Sequence, residues 1–310
     1  MADIKRYTSD FAGLEIPVIE VTGDTPGPLL SVIAGIHGCE YASMAGLRRW
    51  IGGLAGRSIR GTVRAVPVVN LPAFWARSPF VVPEDGKNLN RCFPGSPDGT
   101  LAERLADAVF TQVIRGSDAL VDMHAGDLVE ALEPFALYDG GTAEAEARGL
   151  ATAYGLGYVL RQAPGPAATV AGSSSAAAAA VGIPAITAEA GGCGLVEEDA
   201  VHTHVRGLDG VLRYLEMSGA PAAASAQVSP DPVYLDSWGW PRATAAGWWE
   251  PAVRVGETVT AGQLLGAVST LDGGAVLETL TAPKDGVVLF LTSSPAVAAD
   301  GLLLGLASAM

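Results

Sequence analysis

The chain has 310 residues, 49% of them hydrophobic and 17% charged, which is apolar material for a substantial core and room for roughly two domains. A formal net charge of -14, with only 19 Lys and Arg residues spread along the chain, excludes a phosphate-backbone partner, because nucleic-acid binding relies on clustered cations. No apolar stretch approaches the ~20 residues of a membrane helix and no basic, apolar leader opens the sequence, so the expectation is a globular chain without a membrane partner and with a cytoplasmic location.

The first informative element is Leu29-Leu30-Ser31-Val32-Ile33-Ala34, which reads as a buried strand. It leads into Gly35-Ile36-His37-Gly38-Cys39-Glu40, which places His37 at or just beyond the strand's carboxyl end. Glu40 then falls in the first turn of a following helix, and both side chains can converge on one ion. Val63 to Val69 is a second apolar run. Between Asn70 and Thr100, Pro72, Pro79, Pro83, Pro94 and Pro97 stand among few periodic apolar positions, which predicts a long ordered loop. A helix is expected over Leu101 to Val113, then a strand at Ala119-Leu120-Val121 that ends near Asp122-Met123-His124. Further helices are predicted over Ala143 to Tyr154 and over the alanine-rich Ser173 to Ala180, capped by serine and ended by Gly182. Ile183 to Ala188 forms another strand that delivers Glu189 to its terminus, and Val201 to Leu215 has the apolar spacing of an amphipathic helix. This alternation predicts an α/β domain with a largely parallel sheet flanked by helices, in which ligands bind outside the carboxyl ends of the strands.

Two histidines and one glutamate make the open zinc set that leaves a coordination position for water. His37, Glu40 and His124 supply that set, and Glu189 adds a carboxylate available as a general base, so the pattern predicts metal-assisted hydrolysis. His202 and His204 lie two apart on a helix and cannot share a face, so neither is a ligand. Glu197-Glu198-Asp199 is an acidic helix start favoured by the macrodipole. Cys39, Cys92 and Cys193 have no paired spacing, which excludes a disulfide framework or a cysteine zinc knot and reads as inert thiols.

Gly219 to Pro232 is a small-residue, proline-marked linker. After it the pattern changes to short β runs between glycine turns, including Val253 to Val259, Gly262 to Gly266 and Asp285 to Leu291. The division is therefore 1–220 for the α/β domain, 221–232 for the linker and 233–310 for an all-β module. Trp248 and Trp249 are placed as packing residues over the domain junction.

Together, Gly-x-His-Gly-x-Glu, Asn88-Leu89-Asn90-Arg91-x-Phe93-Pro94-Gly95, Asp122-x-His124 and Glu189-x-Gly191-Gly192 resemble the succinylglutamate desuccinylase/aspartoacylase family, zinc amidohydrolases related to the metallocarboxypeptidases. The resemblance implies a zinc-carboxypeptidase-like mixed sheet and a C-terminal barrel-sandwich module similar to lipoyl and biotinyl domains. That module is not a carrier, since its hairpin Leu271-Asp272-Gly273-Gly274 has no lysine and Lys284 lies in a later turn. By the same resemblance one Zn²⁺ per chain is held by His37, Glu40 and His124, while Glu189 moves a proton from the attacking water to the departing nitrogen. Asn90 and Arg91 match the family's Asn-Arg pair, and the planar fork of an arginine suits a substrate carboxylate. Asp122 is either a partner that orients His124 or a cap for a neighbouring loop. The family places an arginine near Ser78-Pro79, at the developing oxyanion or acyl group. Arg77 is the nearest substitute here, and Asn70-Leu71 replaces the usual Asn-Pro. The expected reaction is removal of a small acyl group, acetyl or succinyl in type, from an N-acyl amino acid or similar N-acyl amine. The alternatives are a carboxypeptidase-type metallopeptidase and a non-catalytic binding protein that retains the metal. A homo-oligomer is the assembly expected on base rates.

Overall fold

The computed structural model describes residues 2–163, 170–218 and 231–309. Its first part runs β1 (Asp3–Phe11), β2 (Leu14–Thr22), β3 (Thr25–Ala34), α1 (Tyr41–Gly53), β4 (Arg60–Val66), α2 (Leu71–Ala76) and α3 (Leu101–Val109). It continues through β5 (Ala119–His124), β6 (Glu130–Leu132), β7 (Phe135–Asp139), α4 (Glu144–Tyr154), β8 (Tyr158–Gln162), α5 (Ser174–Ala180), β9 (Ala185–Glu189) and α6 (Glu198–Tyr214). The remainder is β: β10 (Val233–Leu235), β11 (Ser237–Gly239), β12 (Gly247–Pro251), β13 (Thr258–Val259), β14 (Leu264–Ser269), β15 (Val276–Thr281), β16 (Gly286–Thr292), β17 (Ala296–Val297) and β18 (Leu304–Ser308).

One sheet of nine strands, in the order β1-β2-β4-β3-β5-β9-β7-β8-β10, organises the α/β part. Five of its eight pairings are parallel, and the antiparallel ones are β1 with β2, β2 with β4 and β7 with β9. The sheet is thus mixed, with a central parallel block β4-β3-β5-β9 and a second parallel block β7-β8-β10 joined to it by the antiparallel β9–β7 pairing. Successive side chains on a strand face opposite layers. Val32, Val121 and Ile186 accordingly pack with Leu47, Trp50, Leu150 and Leu208 of α1, α4 and α6. Their neighbours Ile33, Leu120 and Ala185 pack with Leu105, Val109 and Ala178 of α3 and α5. All six residues of β5 are buried, as a central parallel strand covered on both faces requires.

The sequence reading assigned nothing before Leu29, where the structure has the β1–β2 hairpin at the sheet edge. Its inner positions Phe11, Ile16 and Val18 are buried while Lys5 and Glu15 face out. The segment after Asn70 is also less irregular than predicted. The Asn70 side chain accepts a hydrogen bond from the Ala73 N–H at 3.1 Å and, with Pro72 in the first turn, starts α2. A short 3-10 turn follows at Leu89–Arg91. A helix as short as α2 shows no periodicity, which is why a pattern search passes over it.

The C-terminal strands form two antiparallel sheets, β11-β18-β16-β13 and β15-β14-β12-β17, that share a core of Trp249, Val259, Leu265, Val288 and Leu304. Two strands cross between the parts. β6 pairs with β16, with Leu132 opposite Phe290 and Glu130 opposite Thr292, and β10 pairs in parallel with β8. The predicted linker at 221–232 lies almost wholly outside the described residues. The predicted role of Trp248 and Trp249 is corrected: Trp249 belongs to the module's own core and Trp248 is 46% exposed. The junction is filled instead by Phe135, Leu137, Leu235, Leu289 and Ala307, with Trp238 packed against them.

Candidate metal and hydrolytic site

β3 stops at Ala34, and Gly35, in the left-handed region at φ 71°, turns the chain into the His37 loop. Gly38 is required by proximity, since a Cβ there would stand 2.3 Å from the carbonyl carbon of Ala73 at the start of α2. Glu40 sits immediately before α1, one position earlier than predicted. It does not cap the helix, because its carboxylate reaches inward to the site.

His37 Nδ1 lies 2.6 Å from Glu40 Oε1, and His124 Nδ1 lies 2.8 Å from Glu40 Oε2. The Ala125 N–H also donates to Glu40 Oε2, at 3.2 Å. Both imidazoles are held from behind. His37 Nε2 is 3.1 Å from Asn88 Oδ1, and His124 Nε2 is 3.0 Å from Asp122 Oδ2. Glu40 accepts from the Nδ1 side of each ring, and with a cation bound these outer acceptors would keep the hydrogen on Nε2 and leave the Nδ1 lone pairs to the shared centre. Ser174, at the start of α5, donates its hydroxyl to the same Asp122 oxygen, so Asp122 is both an orienting partner and an anchor for a helix start. One ligand atom from each of His37, Glu40 and His124 lies within 4.8 Å of the other two. Two imidazole nitrogens and a carboxylate oxygen, each imidazole fixed by an outer hydrogen bond, are a donor set that fits a zinc-type cation.

The electrostatics follow from burial and this close packing. Burial works against ionisation of Glu40, yet the two imidazoles outweigh it and hold the carboxyl down at about 2. Burial likewise opposes protonation of His124, but Asp122 and Glu40 raise it well above the ordinary histidine range. Glu189, directly across the β5–β9 ladder from His124, has lost water and gained few donors, and burial pushes it up to about 8. Glu130 is pushed up to about 7 for the same reason.

These side chains line one cavity of about 510 Å³. Of the residues singled out in the sequence, His37, Glu40, Asn90, Arg91, His124 and Glu189 are all on its wall. Arg91 Nη1 donates to the Asn90 carbonyl at 2.7 Å, and the Asn90 side-chain oxygen accepts from the Ser174 N–H at 3.1 Å. Arg77 is corrected. It ends α2 in a left-handed conformation at φ 54° and lines a separate surface groove with Tyr41, Trp75 and Val196, so it is absent from the cavity. His204 is a buried structural residue, 2.8 Å from the Tyr154 hydroxyl through Nδ1 and 3.0 Å from the Ala190 carbonyl through Nε2, and His202 is on the outer face of α6. The three cysteines are unpaired and none lines the cavity. Sequence reasoning missed Asn88, although it lies inside the quoted Asn-Leu-Asn-Arg run, and Glu130, which no spacing marks out.

Residues 26–215 match the family model described as the succinylglutamate desuccinylase/aspartoacylase catalytic domain. The chain belongs to this family. The match spans every desuccinylase/aspartoacylase motif from His37 to Glu189. Among curated relatives, the N-alpha-acetyl-L-2,4-diaminobutyric acid deacetylase of Halomonas elongata is 30% identical over 295 residues, 92% of this chain and 83% of the relative. A crystal structure of a succinylglutamate desuccinylase/aspartoacylase from Rhodobacter sphaeroides superposes with a TM-score of 0.82 at 25% identity, covering 100% of this chain and 96% of the other. The product-bound ectoine utilization protein EutE of Ruegeria pomeroyi shares the fold, with a TM-score of 0.83 at 23% identity, covering 99% and 94%. The chain is therefore a deacylase-family protein of mixed α/β fold.

Proposed function

We propose that this chain is a zinc-dependent deacylase that hydrolyses the amide of an N-acyl amino acid or similar N-acyl amine, with acetyl or succinyl as the acyl group. The observation that carries this reading is the convergence of His37, Glu40 and His124 within 4.8 Å on the wall of a cavity that also presents Glu189. His37, Glu40 and His124 hold the cation, and Asn88 and Asp122 fix the two rings. When bound, Zn²⁺ polarises the amide carbonyl and lowers the pKa of water to about 7. Glu189 takes a proton from the attacking water and returns it to the departing nitrogen. A carboxyl already raised by burial is suited to both halves of that exchange near neutral pH. Arg91 spends one donor on the Asn90 carbonyl and keeps the rest of its fork for a substrate carboxylate, which would set the scissile bond beside Glu189. The curated deacetylase relative supports acyl removal from an amino acid derivative.

The C-terminal sheets are read as the barrel-sandwich module, joined to the catalytic part through 221–232, in a cytoplasmic and oligomeric enzyme. A carboxypeptidase-type reaction would use the same groups, but Trp238, Trp240 and Phe290 of this module wall the cavity where a peptidase needs a groove for several residues.

The test is a panel of N-acetyl, N-succinyl and N-formyl amino acids with metal analysis of the same samples. About one zinc per chain is expected, with activity lost on chelation and restored by zinc. Glu189→Gln should retain the metal and lose roughly 10²–10⁴-fold in kcat. Full metal content with no turnover across the panel would overturn the catalytic reading.

A further inference from the structure

The cavity is lined far beyond the groups the hydrolysis needs. On the side built by the C-terminal module its wall is aromatic. Phe135 meets Trp238 edge-on, with centroids 5.2 Å apart, and Trp238 leans over Trp240 at 4.7 Å and 32°. Trp240 leans in turn over Phe290 at 6.0 Å and 34°. All four rings line the same cavity as His37, His124 and Glu189. Small residues Ala296, Ala298 and Gly301 line the same cavity and take up little of its space. Arg242 also lines it, tied through Nη1 to the Asp300 carbonyl at 2.7 Å. The indole N–H of Trp240 is buried and has no acceptor among the described residues.

A volume of about 510 Å³ falls within the roughly 300–1,000 Å³ of pockets that enclose drug-sized ligands. An acetylated amino acid with a short polar side chain would leave the aromatic wall facing water, an arrangement that gives those rings no binding role. We infer that the substrate carries a bulky, flat apolar group next to the scissile amide, and that Trp240 and Phe290, with Trp238 behind them, form the subsite that selects it. The inference rests on the deacylase reading and narrows its substrate class. The group can belong to either side of the amide: the side chain of an N-acetylated aromatic amino acid, or an aroyl group on a small amino acid. The chemistry that the wall recognises is the same, since an aromatic face stacks on either.

The experiment compares kcat/KM of the zinc-loaded enzyme for N-acetyltryptophan and N-benzoylglycine with that for N-acetylalanine and N-acetyl-2,4-diaminobutyrate. At least one bulky substrate should exceed both small ones by about tenfold or more, and the arm that does so identifies the side of the amide. In Trp240→Leu, which keeps an apolar filling, that ratio should fall toward one. Calorimetric binding of the same four compounds to the zinc-loaded Glu189→Gln protein separates the two readings. Tighter binding of a bulky compound without turnover in the parent enzyme supports the subsite and counts only against the deacylase. Turnover that favours the small substrates, or a ratio that Trp240→Leu leaves intact, overturns the subsite while the deacylase stands.

Discussion

Asp122 shows how much a single buried carboxylate can organise. It is two residues before His124 on β5, so the two side chains share a face of the strand, and its Oδ2 meets His124 Nε2 at 3.0 Å. That contact fixes which ring nitrogen faces Glu40, and the negative charge makes the imidazole more basic. The hydroxyl of Ser174 secures the same oxygen, and the other oxygen is buried without a partner among the described residues. The role is therefore separable from direct ligation. Asp122→Asn should keep the fold and the three ligand side chains but lower zinc affinity by roughly 10–100-fold, measured by competition with a chelating dye. Zinc affinity equal to that of the parent would show that Asp122 serves only to anchor α5.

At the scale of elements, α5 is fastened to the sheet by polar contacts more than by size, because its residues are serine and alanine. Ser173 caps it, accepting from the Ala176 N–H at 3.2 Å, and Ser175 donates to Asp139 Oδ2 at 2.9 Å at the end of β7. Asp139 is 3% exposed, and burial pushes its carboxyl from the ordinary 3.8 up to about 6. Between those two values the folded chain binds a proton that the unfolded chain has released. Asp139 therefore contributes less to stability as the pH rises through that window, and its penalty is complete above pH 6. A shift of about two units corresponds to about 3 kcal/mol. Asp139→Asn removes the ionisation while an amide oxygen can still accept from Ser175. The variant should gain stability relative to the parent at pH 7, by up to that amount, and lose the advantage below about pH 4. Chemical denaturation at the two pH values checks this, and a difference independent of pH would refute it.

Across the whole molecule, the β module is a wall of the cavity that holds His37, Glu40, His124 and Glu189, and not an appendage. β6 of the α/β part adds to the module's sheet beside β16, β10 adds to the large sheet beside β8, and a shared core of Phe135, Leu137, Leu160, Leu289 and Ala307 closes the seam. Glu130 lies on the strand that crosses, and its carbonyl accepts the Cys193 N–H at 2.7 Å, so the junction also supports the loop after Glu189. Unfolding one part would expose the apolar face of the other. Calorimetry should show one cooperative transition, and Leu289→Ala should lower it as a whole by roughly 2–5 kcal/mol, the cost of emptying a fully buried site. Two separate transitions, with only the one belonging to the module displaced, would contradict this coupling.

The sequence alone determined the central strands β3, β5 and β9, the helices α3 to α6 and the convergence of His37, Glu40, His124 and Glu189. All of these rest on local signals: apolar runs, serine and glycine stops, and the rule that parallel strands present their carboxyl ends to one place. Asn90 and Arg91 were legible through a motif. Arg77 was assigned by nearness in sequence, and a left-handed helix end carries it to a different groove. The spacing of Asp122 and His124 puts them on one face of β5 and the structure shows that they meet, whereas tertiary structure alone decided that Glu130 joins the cavity and that Trp238, Trp240 and Phe290 line it together with His37, Glu40 and His124. Glu130, Trp238 and Phe290 come from strands paired over long sequence separations, Leu132 with Phe290 and Trp238 with Ala307 among them. No spacing within the chain encodes such a pairing, because it is set by which apolar faces are left to cover once each part has folded.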